Sequence, residues 1–329
     1  VGLGVGKQHV YAIAANNDCN LKAVHDLDES LATHTAAELS GVRVAKRFQD
    51  ILDDPEIDAV VIASYDQDHF GQVVAALEAK KHVFVEKPLC RSLEELSAIK
   101  ELLSETKGQL VLWSNLILRA APLYRWLRKE IMSGELGSLY AFDGDYLYGR
   151  LEKITTGWRS AVDDYSVITG GGVHLVDLVL WMTGERPITV TAVSNGISTE
   201  GTAFRPDDFM AATLEFPSGM IARVTANFGC VHRHQHAMRV FGTKATFLND
   251  DKGARLHISR DPNTEVQEIT LAALAGHKGD LITEFVADIA ERKTGGSDTT
   301  QQMFLDAISV CVAIDRAGRS RRPEEVTYV

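Results

Sequence analysis

Short apolar runs alternate with amphipathic segments over the first third of the chain. Runs rich in Val and Ile predict buried strands, and apolar residues at helical spacing predict helices between them. The predicted strands lie near 20–26, 42–45, 59–63, 82–85 and 110–113. The predicted helices lie near 7–16, 30–39, 70–79 and 92–104. Regular alternation of strand and helix predicts an α/β fold with a doubly wound parallel sheet.

The pattern changes beyond Pro187. Segments there alternate between apolar and polar residues, and the turn sequences Pro-Ser-Gly and Gly-Thr-Lys join them. This alternation predicts hairpins in an open, mostly antiparallel sheet. Two helices near 280–292 and 301–316 close the chain. We therefore predict two domains, 1–117 and 118–329, the second being an α/β domain that contains the open sheet.

Composition and charge exclude several classes of partner. The 329 residues are 45% hydrophobic and 24% charged, which suits a large core and roughly two domains. The formal net charge of −11 gives no basic surface for a phosphate backbone or an anionic membrane. No apolar run approaches the ~20 residues that span a bilayer. The sequence therefore predicts neither nucleic acid nor membrane as a partner.

The four cysteines, Cys19, Cys90, Cys230 and Cys311, are far apart in the sequence. They form no CxxC pair, so neither a zinc knuckle nor a disulfide framework is indicated. They are predicted to be core thiols of a protein in a reducing compartment, the cytoplasm.

Three closely spaced glycines, Gly2, Gly4 and Gly6, precede the first predicted helix. Such glycines let the backbone approach a pyrophosphate, and the N-terminus of the helix offers N–H groups to it. Because the chain begins with Val1 inside this pattern, most of a preceding strand is expected upstream. Asp26 ends the next strand, where a dinucleotide site places a carboxylate on the ribose hydroxyls. Alternatively, Asp26 is a turn or capping residue.

The loops that follow the predicted strands carry further candidates. In an open α/β sheet, ligands bind beyond the carboxyl ends of the strands. That edge would carry Ser64, Tyr65, Glu86, Lys87 and Asn115. A lysine at the tip of a buried strand is a candidate for catalysis. The alternative is a strand-end lysine that is simply capped by the proline after it.

A second set of candidates lies in the sequence GGGVHLVD. Gly171 and Gly172 permit a tight entry into a helix, and His174 and Asp177 share a face of its first turn. A carboxylate there can orient an imidazole, whose ordinary pKa of ~6.5 suits a general base. The alternative is a capping or core histidine with Asp177 as a partner of the helix dipole.

The run VHRHQH places His232, His234 and His236 on one face of a predicted strand. Successive positions on that face are ~7 Å apart, which is awkward for three ligands of one ion. Zinc sites also usually recruit ligands from more than one element. We therefore predict no metal and interpret the run as a polar sheet face near the substrate or a subunit interface.

Taken in order, these pieces resemble the glucose-fructose oxidoreductase / inositol dehydrogenase (Gfo/Idh/MocA) family over essentially the whole chain. The matching pieces are GLGVG, Asp26, IDAVVIASYDQDHF, EKPL, Asn115, GELG, GWR and GGGVHLVDLVLW. The resemblance implies an N-terminal Rossmann domain and a C-terminal α/β domain whose open sheet forms a homodimer or homotetramer interface. It also implies hydride transfer between a nicotinamide cofactor and a carbinol carbon of a sugar, polyol or related compound.

The resemblance also implies roles for individual residues. Lys87 would be the catalytic lysine and His174 the general acid/base, with Asp177 as a further catalytic residue. The implied cofactor-binding residues are Gly2, Gly4, Gly6, Asp26, Ser64, Tyr65, His69, Glu86, Lys87, Asn115 and Arg159. The three residues directly after Asp26 are Leu27, Asp28 and Glu29, and no arginine lies near them in the sequence to pair with a 2′-phosphate. NAD is therefore predicted in preference to NADP.

One position departs from the family pattern. The family has an aspartate four residues before the histidine, and this chain has Gly170. Asp163, Asp164 or Tyr165 on the preceding loop could take its place, and the sequence does not choose between them. The departure leaves two alternatives to a dehydrogenase: a non-catalytic dinucleotide-binding sensor, and redox-cycled glycoside cleavage with NAD. The retained lysine and histidine favour an enzyme.

Overall fold

The computed structural model describes residues 1–292 and 299–329. They fall into two compact units. The first unit comprises Val1–Ala120, Ala275–Ile308 and Val329, and the second comprises Ala121–Leu274 and Ser309–Tyr328.

The first unit alternates strands and helices from its start. Its strands are β1 (Ala23–Val24), β2 (Arg43–Val44), β3 (Ala59–Ile62), β4 (His82–Val85) and β5 (Leu112–Ser114). Its helices up to Ala120 are α1 (Gly6–Ala14), α2 (Glu29–Ala37), α3 (Gln49–Leu52), α4 (His69–Glu78) and α5 (Leu93–Glu105). β1 pairs with β2, and β4 pairs with both β3 and β5, always in parallel. The predicted parallel sheet is confirmed.

Val1 and Gly2 connect the two groups of strands. Ala63 N–H donates to the Val1 carbonyl (2.8 Å), and Gly2 N–H donates to the His25 carbonyl (2.9 Å). Residues that follow β1 and β3 are thus bonded to the glycine loop. The helices begin at polar caps: the Asp28 carboxylate accepts N–H groups of α2, and the Ser92 hydroxyl accepts the Glu95 N–H of α5.

The second unit is built on one large sheet. Its helices begin with α6 (Pro122–Met132), α7 (Glu152–Thr155) and α8 (Val173–Thr183). Its strands are β6 (Leu139–Leu147), β7 (Thr189–Asn195), β8 (Phe209–Glu215), β9 (Ile221–Asn227), β10 (Gln235–Gly242), β11 (Thr246–Asp250), β12 (Gly253–His257), β13 (Gln267–Ile269) and β14 (Glu324–Glu325). Among the described residues their order is β13-β12-β11-β10-β6-β9-β8-β7-β14. β6 and β9 are parallel, and the other neighbours are antiparallel. The predicted open, mostly antiparallel sheet is confirmed.

The two faces of this sheet differ in what covers them. Phe142 and Tyr146 of β6 are buried on the face that carries α8, and Leu175 of α8 packs over Gly144. The opposite face carries half-exposed charged residues. On that face Arg223 of β9 donates to Asp145 of β6 (Nη1 to Oδ1, 2.9 Å). Antiparallel sheets commonly keep one such face towards solvent.

The last helices, α9 (Ile282–Arg292) and α10 (Thr299–Ser320), lie differently from the prediction. Both were predicted in the second domain, yet α9 and the part of α10 up to Ile308 belong to the first unit, whereas α10 from Ser309 onwards belongs to the second unit as predicted. The first domain was predicted to end at residue 117, and the N-terminal segment of the first unit ends at Ala120. The reason is the apolar face of α9, where Phe285 packs on Phe84 of β4 with 5.5 Å between ring centroids. An amphipathic helix fits any apolar sheet face, so its pattern could not select the unit.

All four cysteines are free thiols. Cys90 and Cys311 are buried as predicted, whereas Cys19 and Cys230 are only half-buried. Burial raises the pKa of the Cys90 and Cys311 thiols well above the ordinary value. Among the described residues, no helix has both the length and the apolar character that a membrane span needs.

Candidate active site

Each glycine in the glycine loop of the first unit has a different structural role. Gly2 has φ +76°, and a Cβ there would stand 2.5 Å from the Ala63 carbonyl oxygen. A Cβ on Gly4 would meet nothing within 4 Å, so the backbone is open to a ligand. Gly6 begins α1 and packs closely, since its Cβ would lie 3.2 Å from that of Ala63. A turn, an open approach and close helix packing are the features of a pyrophosphate loop.

Asp26 lies beside this loop. Its carboxylate accepts the N–H of Leu3 and the N–H of Asp28. The cap of α2 is Asp28, so Asp26 is not the helix cap considered as an alternative. It is a turn residue, however, and the bond to Leu3 holds it next to the predicted pyrophosphate position. Leu27, which follows it, is 88% exposed.

The carboxyl ends of β3, β4 and β5 bring most of the predicted edge residues together. The register pairs Ile62 with Val85 and Val85 with Ser114, so the residues that follow these strands are neighbours. Those residues are Ser64, Tyr65, Glu86, Lys87 and Asn115. Tyr65 is 47% exposed and Lys87 is half-buried. The Lys87–Pro88 peptide bond is cis.

Glu86 is the centre of a polar cluster at this edge. Its Oε1 accepts from His9 Nε2 (2.9 Å) and from Asn115 Nδ2 (2.8 Å). Burial raises the pKa of Glu86, but the bonds from His9 and Asn115 and the charge of Lys278 outweigh it and lower the pKa to about 2. Glu86 is therefore ionised at neutral pH. The cluster ties α1 to the ends of β4 and β5.

Two buried polar atoms in this cluster have no hydrogen-bond partner among the described residues: Asn115 Oδ1 and His9 Nδ1. Asn115 is fully buried, and its amide donates to Glu86 and to the Lys278 carbonyl (3.0 Å). A buried acceptor without a donor is expected to find one in a bound ligand or water. Sequence reasoning missed His9, because nothing in the helix sequence indicates a partner 77 residues away.

The predicted role of His69 as a cofactor contact stays a prediction. It is fully buried, and its Nδ1 lies 2.7 Å from the Pro88 carbonyl oxygen while its Nε2 lies 3.2 Å from the Ser64 carbonyl oxygen. These contacts tie the loop after β3 to the loop after β4. His69 therefore shapes this edge of the sheet.

A cavity of about 660 Å³ also lies in the first unit. Its walls are mainly apolar and include Val10 of α1, Val24 of β1, Val60 of β3 and Phe285 of α9. It extends towards Asn20 and Asp58, at the amino ends of β1 and β3. Apart from the glycine loop, it does not include the predicted edge residues.

The second unit holds His174, Asp177 and Arg159. His174 is 5% exposed in the first turn of α8, and Asp177 is fully buried one turn later. The His174 ring stacks on Tyr146 of β6 (6.3 Å between centroids) and lies 5.8 Å from the ring of His236. The orientation of His174 by Asp177 stays a prediction. Lys87 belongs to the first unit and His174 to the second.

The glycines before His174 lie at the entry into α8, as predicted, and are closely packed there. Residues Ile168–Gly172 form a π-helical turn, and none of its glycines has a positive φ. A Cβ on Gly171 would stand 2.5 Å from the Tyr146 ring, and a Cβ on Gly170 would overlap the Tyr165 hydroxyl. The glycines therefore make room for aromatic rings. Tyr165 Oη also accepts from Arg159 Nε (3.0 Å).

Asp315 of α10 forms hydrogen bonds to side chains at this turn. Sequence reasoning missed Asp315. Its carboxylate accepts from Ser166 Oγ (2.9 Å) and from Thr169 Oγ1 (3.3 Å). Burial raises the pKa of Asp315 to about 6, although Ser166, Arg319 and Thr169 partly oppose that rise. Nothing in the local sequence connects residues about 150 positions apart.

The three histidines of the VHRHQH run have separate surroundings. His232 Nε2 lies 3.0 Å from Asp251 Oδ2, and His234 Nδ1 lies 3.1 Å from the Leu147 carbonyl oxygen. His236 is buried on β10 against Tyr146. Within the described part of the chain, no group of three or more His, Cys, Asp or Glu residues is arranged to hold a metal ion.

Two family models match the chain. The model described as an oxidoreductase family with an NAD-binding Rossmann fold matches residues 1–113. The model described as the GFO/IDH/MocA C-terminal domain matches residues 124–248. Together they cover most of both units.

Curated relatives include several inositol dehydrogenases. Inositol 2-dehydrogenase 2 of Saccharopolyspora erythraea is 31% identical over 229 residues, which are 68% of this chain and 64% of that protein. That match therefore spans slightly less than two thirds of the relative. Inositol 2-dehydrogenase of Acidothermus cellulolyticus is 24% identical over 329 residues, 98% of this chain and 92% of that protein.

Solved structures support the fold. A levoglucosan dehydrogenase in complex with NADH and levoglucosan has a TM-score of 0.85 at 20% identity, over 100% of this chain and 98% of that chain. Myo-inositol 2-dehydrogenase of Lactobacillus plantarum has a TM-score of 0.80 at 19% identity, over 99% and 98% of the two chains. These likenesses confirm the predicted fold class.

Proposed function

Because the chain belongs to the Gfo/Idh/MocA family of NAD-binding oxidoreductases, we propose that it is an NAD-dependent dehydrogenase of sugars or polyols. The observation that carries the proposal is the edge of the parallel sheet. There the glycine loop, Asp26 and Lys87 follow the strand ends where such sheets bind ligands. The names of the relatives, inositol and levoglucosan dehydrogenases, support a ring-shaped polyol or sugar as the substrate.

The residues of the first unit fit a dinucleotide. Gly2 has a positive φ and lies too close to the Ala63 backbone for a side chain to fit. Gly4 leaves the backbone open to a pyrophosphate. The Asp26 carboxylate is suited to the ribose hydroxyls. The buried Asn115 Oδ1 offers an acceptor at the same edge. These residues would hold the cofactor, with Ser64 and Tyr65 on the neighbouring loop.

When bound, the nicotinamide supplies the hydride acceptor or donor. Lys87 supplies an ammonium that donates a hydrogen bond to the reacting hydroxyl and lowers the cost of its deprotonation. His174 supplies an imidazole nitrogen that accepts the proton and returns it in the reverse direction.

The proposal is tested by turnover. Purified protein is incubated with NAD and a panel of inositols, aldoses, anhydro sugars and glycosides, and NADH formation is followed by absorbance. Lys87→Met and His174→Ala are each expected to lower kcat by about 10²–10⁴-fold. Dissociation constants for NADH should stay within about threefold of wild type, because neither change removes the pyrophosphate loop.

Two exposed residues provide matched controls. Lys22 precedes β1 at the amino end of the strand, whereas the proposed site lies at the carboxyl ends. His34 lies on α2 with 74% of its side chain exposed. Lys22→Met and His34→Ala should keep wild-type turnover. If the panel gives no NADH, no exchange of substrate hydrogen and no glycoside cleavage, the dehydrogenase is rejected. Stabilisation of the NAD complex by a sugar would then favour the sensor, which Gly170 leaves open as the second candidate.

A further inference from the structure

Three histidine rings of the second unit form a series, His174, His236 and His234, of increasing exposure. His174 of α8 and His236 of β10 are perpendicular, with 5.8 Å between ring centroids. The centroids of His236 and His234 are 5.0 Å apart. His174 is 5% exposed and His236 is 6% exposed, whereas His234 is half-buried. The histidine series therefore runs from a buried imidazole to one that solvent reaches.

The large sheet holds the middle ring in place. β10 pairs with β6 so that His236 lies opposite Tyr146. The His236 carbonyl accepts from the Asn249 amide (3.1 Å), which fixes the backbone at this position. The centroid of the Tyr146 ring lies 6.3, 5.2 and 5.3 Å from those of the three imidazoles, in the order of the series. Tyr146 therefore packs the three rings into one group.

The outer imidazole has a defined tautomer. His234 Nδ1 lies 3.1 Å from the Leu147 carbonyl oxygen, and a carbonyl can only accept. Nδ1 therefore carries the hydrogen, and Nε2 of the neutral ring is the nitrogen that can take up a proton. An imidazole changes its charge near neutral pH, so it can take up and release protons there.

The distances suit transfer from ring to ring. Two imidazoles joined by an N–H···N bond of ~3 Å have centroids about 5 Å apart. The separation of His236 and His234 matches this value. The rings of His174 and His236 reach it by a displacement of about 1 Å, since their centroids are 5.8 Å apart.

The other titratable groups around the series are less suited to carry a proton. Burial raises the pKa of Tyr146 above its ordinary value, so its phenol stays neutral near pH 7. The arginines nearby keep their protons at any working pH. These groups are Tyr146, Tyr148, Tyr165, Arg150, Arg159 and, one turn after His174, Asp177.

We propose that His236 and His234 form an imidazole relay that carries protons between His174 and solvent. Oxidation of a carbinol with NAD gives a carbonyl, NADH and one proton, and His174 is too buried to exchange that proton freely with water. The substrate O–H bond breaks and His174 takes the proton, which passes to His236, to His234 and to water. Reduction runs the same steps in reverse. This inference rests on the proposed function, and both relay residues act through His174.

The test removes one imidazole at a time. Glutamine is polar but carries no proton near neutral pH, so His236→Gln and His234→Gln should each lower kcat at least about tenfold at pH 7. NADH dissociation constants should stay within about threefold of wild type, because neither residue belongs to the first unit. If the buried change at 236 prevents folding, the half-buried change at 234 carries the test.

Two further readouts separate a relay from a structural role. Dissolved imidazole should restore kcat of His234→Gln in proportion to its concentration, because it substitutes for the outermost proton carrier. The solvent deuterium effect on kcat should be larger in both relay variants than in wild type, because proton transfer then limits turnover. A histidine that only packs against its neighbours would give neither result.

The matched control is His232→Gln in the same histidine run. His232 pairs with Asp251 (3.0 Å), and 28% of its side chain is exposed. This variant should keep wild-type kcat and show no dependence on imidazole. Wild-type kcat in both relay variants would overturn the proposal. A loss of kcat that imidazole does not restore, with an unchanged solvent deuterium effect, would also overturn it.

A last measurement does not need turnover. NMR of protein labelled with ¹⁵N, with NADH bound, gives the rate at which the ring N–H of His174 exchanges with solvent, and His174→Ala assigns the signal. Exchange should slow at least about tenfold in both relay variants and stay unchanged in His232→Gln. Unchanged exchange in the relay variants would reject the relay. If exchange slows while the wild type oxidises no compound of the panel, the relay stands and the proposed dehydrogenase fails.

Discussion

At the residue scale, we propose that Asp26 and Leu27 determine which dinucleotide the first unit prefers. Asp26 is held beside the glycine loop, and the exposed Leu27 is followed by Asp28 and Glu29. A 2′-phosphate next to these carboxylates would meet repulsion and no guanidinium from this stretch. We propose NAD as the cofactor, with a dissociation constant at least about tenfold lower than that of NADP, or about 1.4 kcal/mol.

A charge exchange at these two positions tests the preference. In Asp26→Ser/Leu27→Arg the repulsion is removed and a bidentate partner is added, so NADP should become the tighter ligand. Fluorescence titration with NADH and NADPH gives both dissociation constants. Leu27→Gln, which adds no charge, is the control and should retain the NAD preference. Equal or tighter binding of NADPH by the wild type would contradict the assignment.

At the element scale, Asp315 links α10 to the turn that carries Tyr165 and Gly170. Its pKa rises from an ordinary 3.8 to about 6 on folding. The folded protein therefore holds this proton more tightly than the unfolded chain between these values. Stability falls as the pH rises through this window, and above about pH 6 the cost reaches up to about 3 kcal/mol.

Asp315→Asn should remove this pH dependence. Asparagine keeps an acceptor for the Ser166 hydroxyl and carries no charge, so the variant should gain stability relative to wild type between pH 4 and 7. Urea unfolding at several pH values measures the difference. Ser166→Ala loses one hydrogen bond but keeps the carboxyl group, so it should retain the pH dependence. A constant difference between Asp315→Asn and wild type across this range would show that the carboxyl group does not titrate there.

At the scale of the whole molecule, we propose that the open face of the large sheet binds a second copy of the chain. One row across it runs from Val193 on β7 through Ala211 on β8, Thr225 on β9 and Asp145 on β6 to Ala237 on β10. Val193 is 54% exposed, and small residues along this row allow close approach. An isologous contact through such a face would give a dimer.

We therefore expect the protein to sediment as a dimer or tetramer at micromolar concentration. Val193→Glu replaces the exposed apolar side chain of the row with a carboxylate and should shift sedimentation velocity profiles towards the monomer, because an unpaired charge buried at an interface is costly. Met132→Gln, at an exposed position on α6, is the control and should leave the profile unchanged. A wild-type monomer with NAD present would rule out this interface.

The sequence by itself determined the elements and the order in which they present their chemistry. β4 was predicted at 82–85 and is found at His82–Val85, and α4 begins one residue before its predicted start. Local hydrophobic periodicity specifies such elements. The parallel alternation then places the residues after β3, β4 and β5 at one edge. The family, the fold class and the position of Lys87 at that edge therefore followed from the sequence.

Only the tertiary structure decided which side chains meet. It placed Phe285 and the rest of α9 on the first unit, His9 on Glu86, and Asp315 under the turn before His174. It also buried Tyr165 against Gly170 and left Asp163 and Asp164 exposed. These contacts join residues far apart in the chain or depend on the direction of a side chain. Local periodicity specifies which face of an element is apolar, whereas the packing of elements determines what that face contacts.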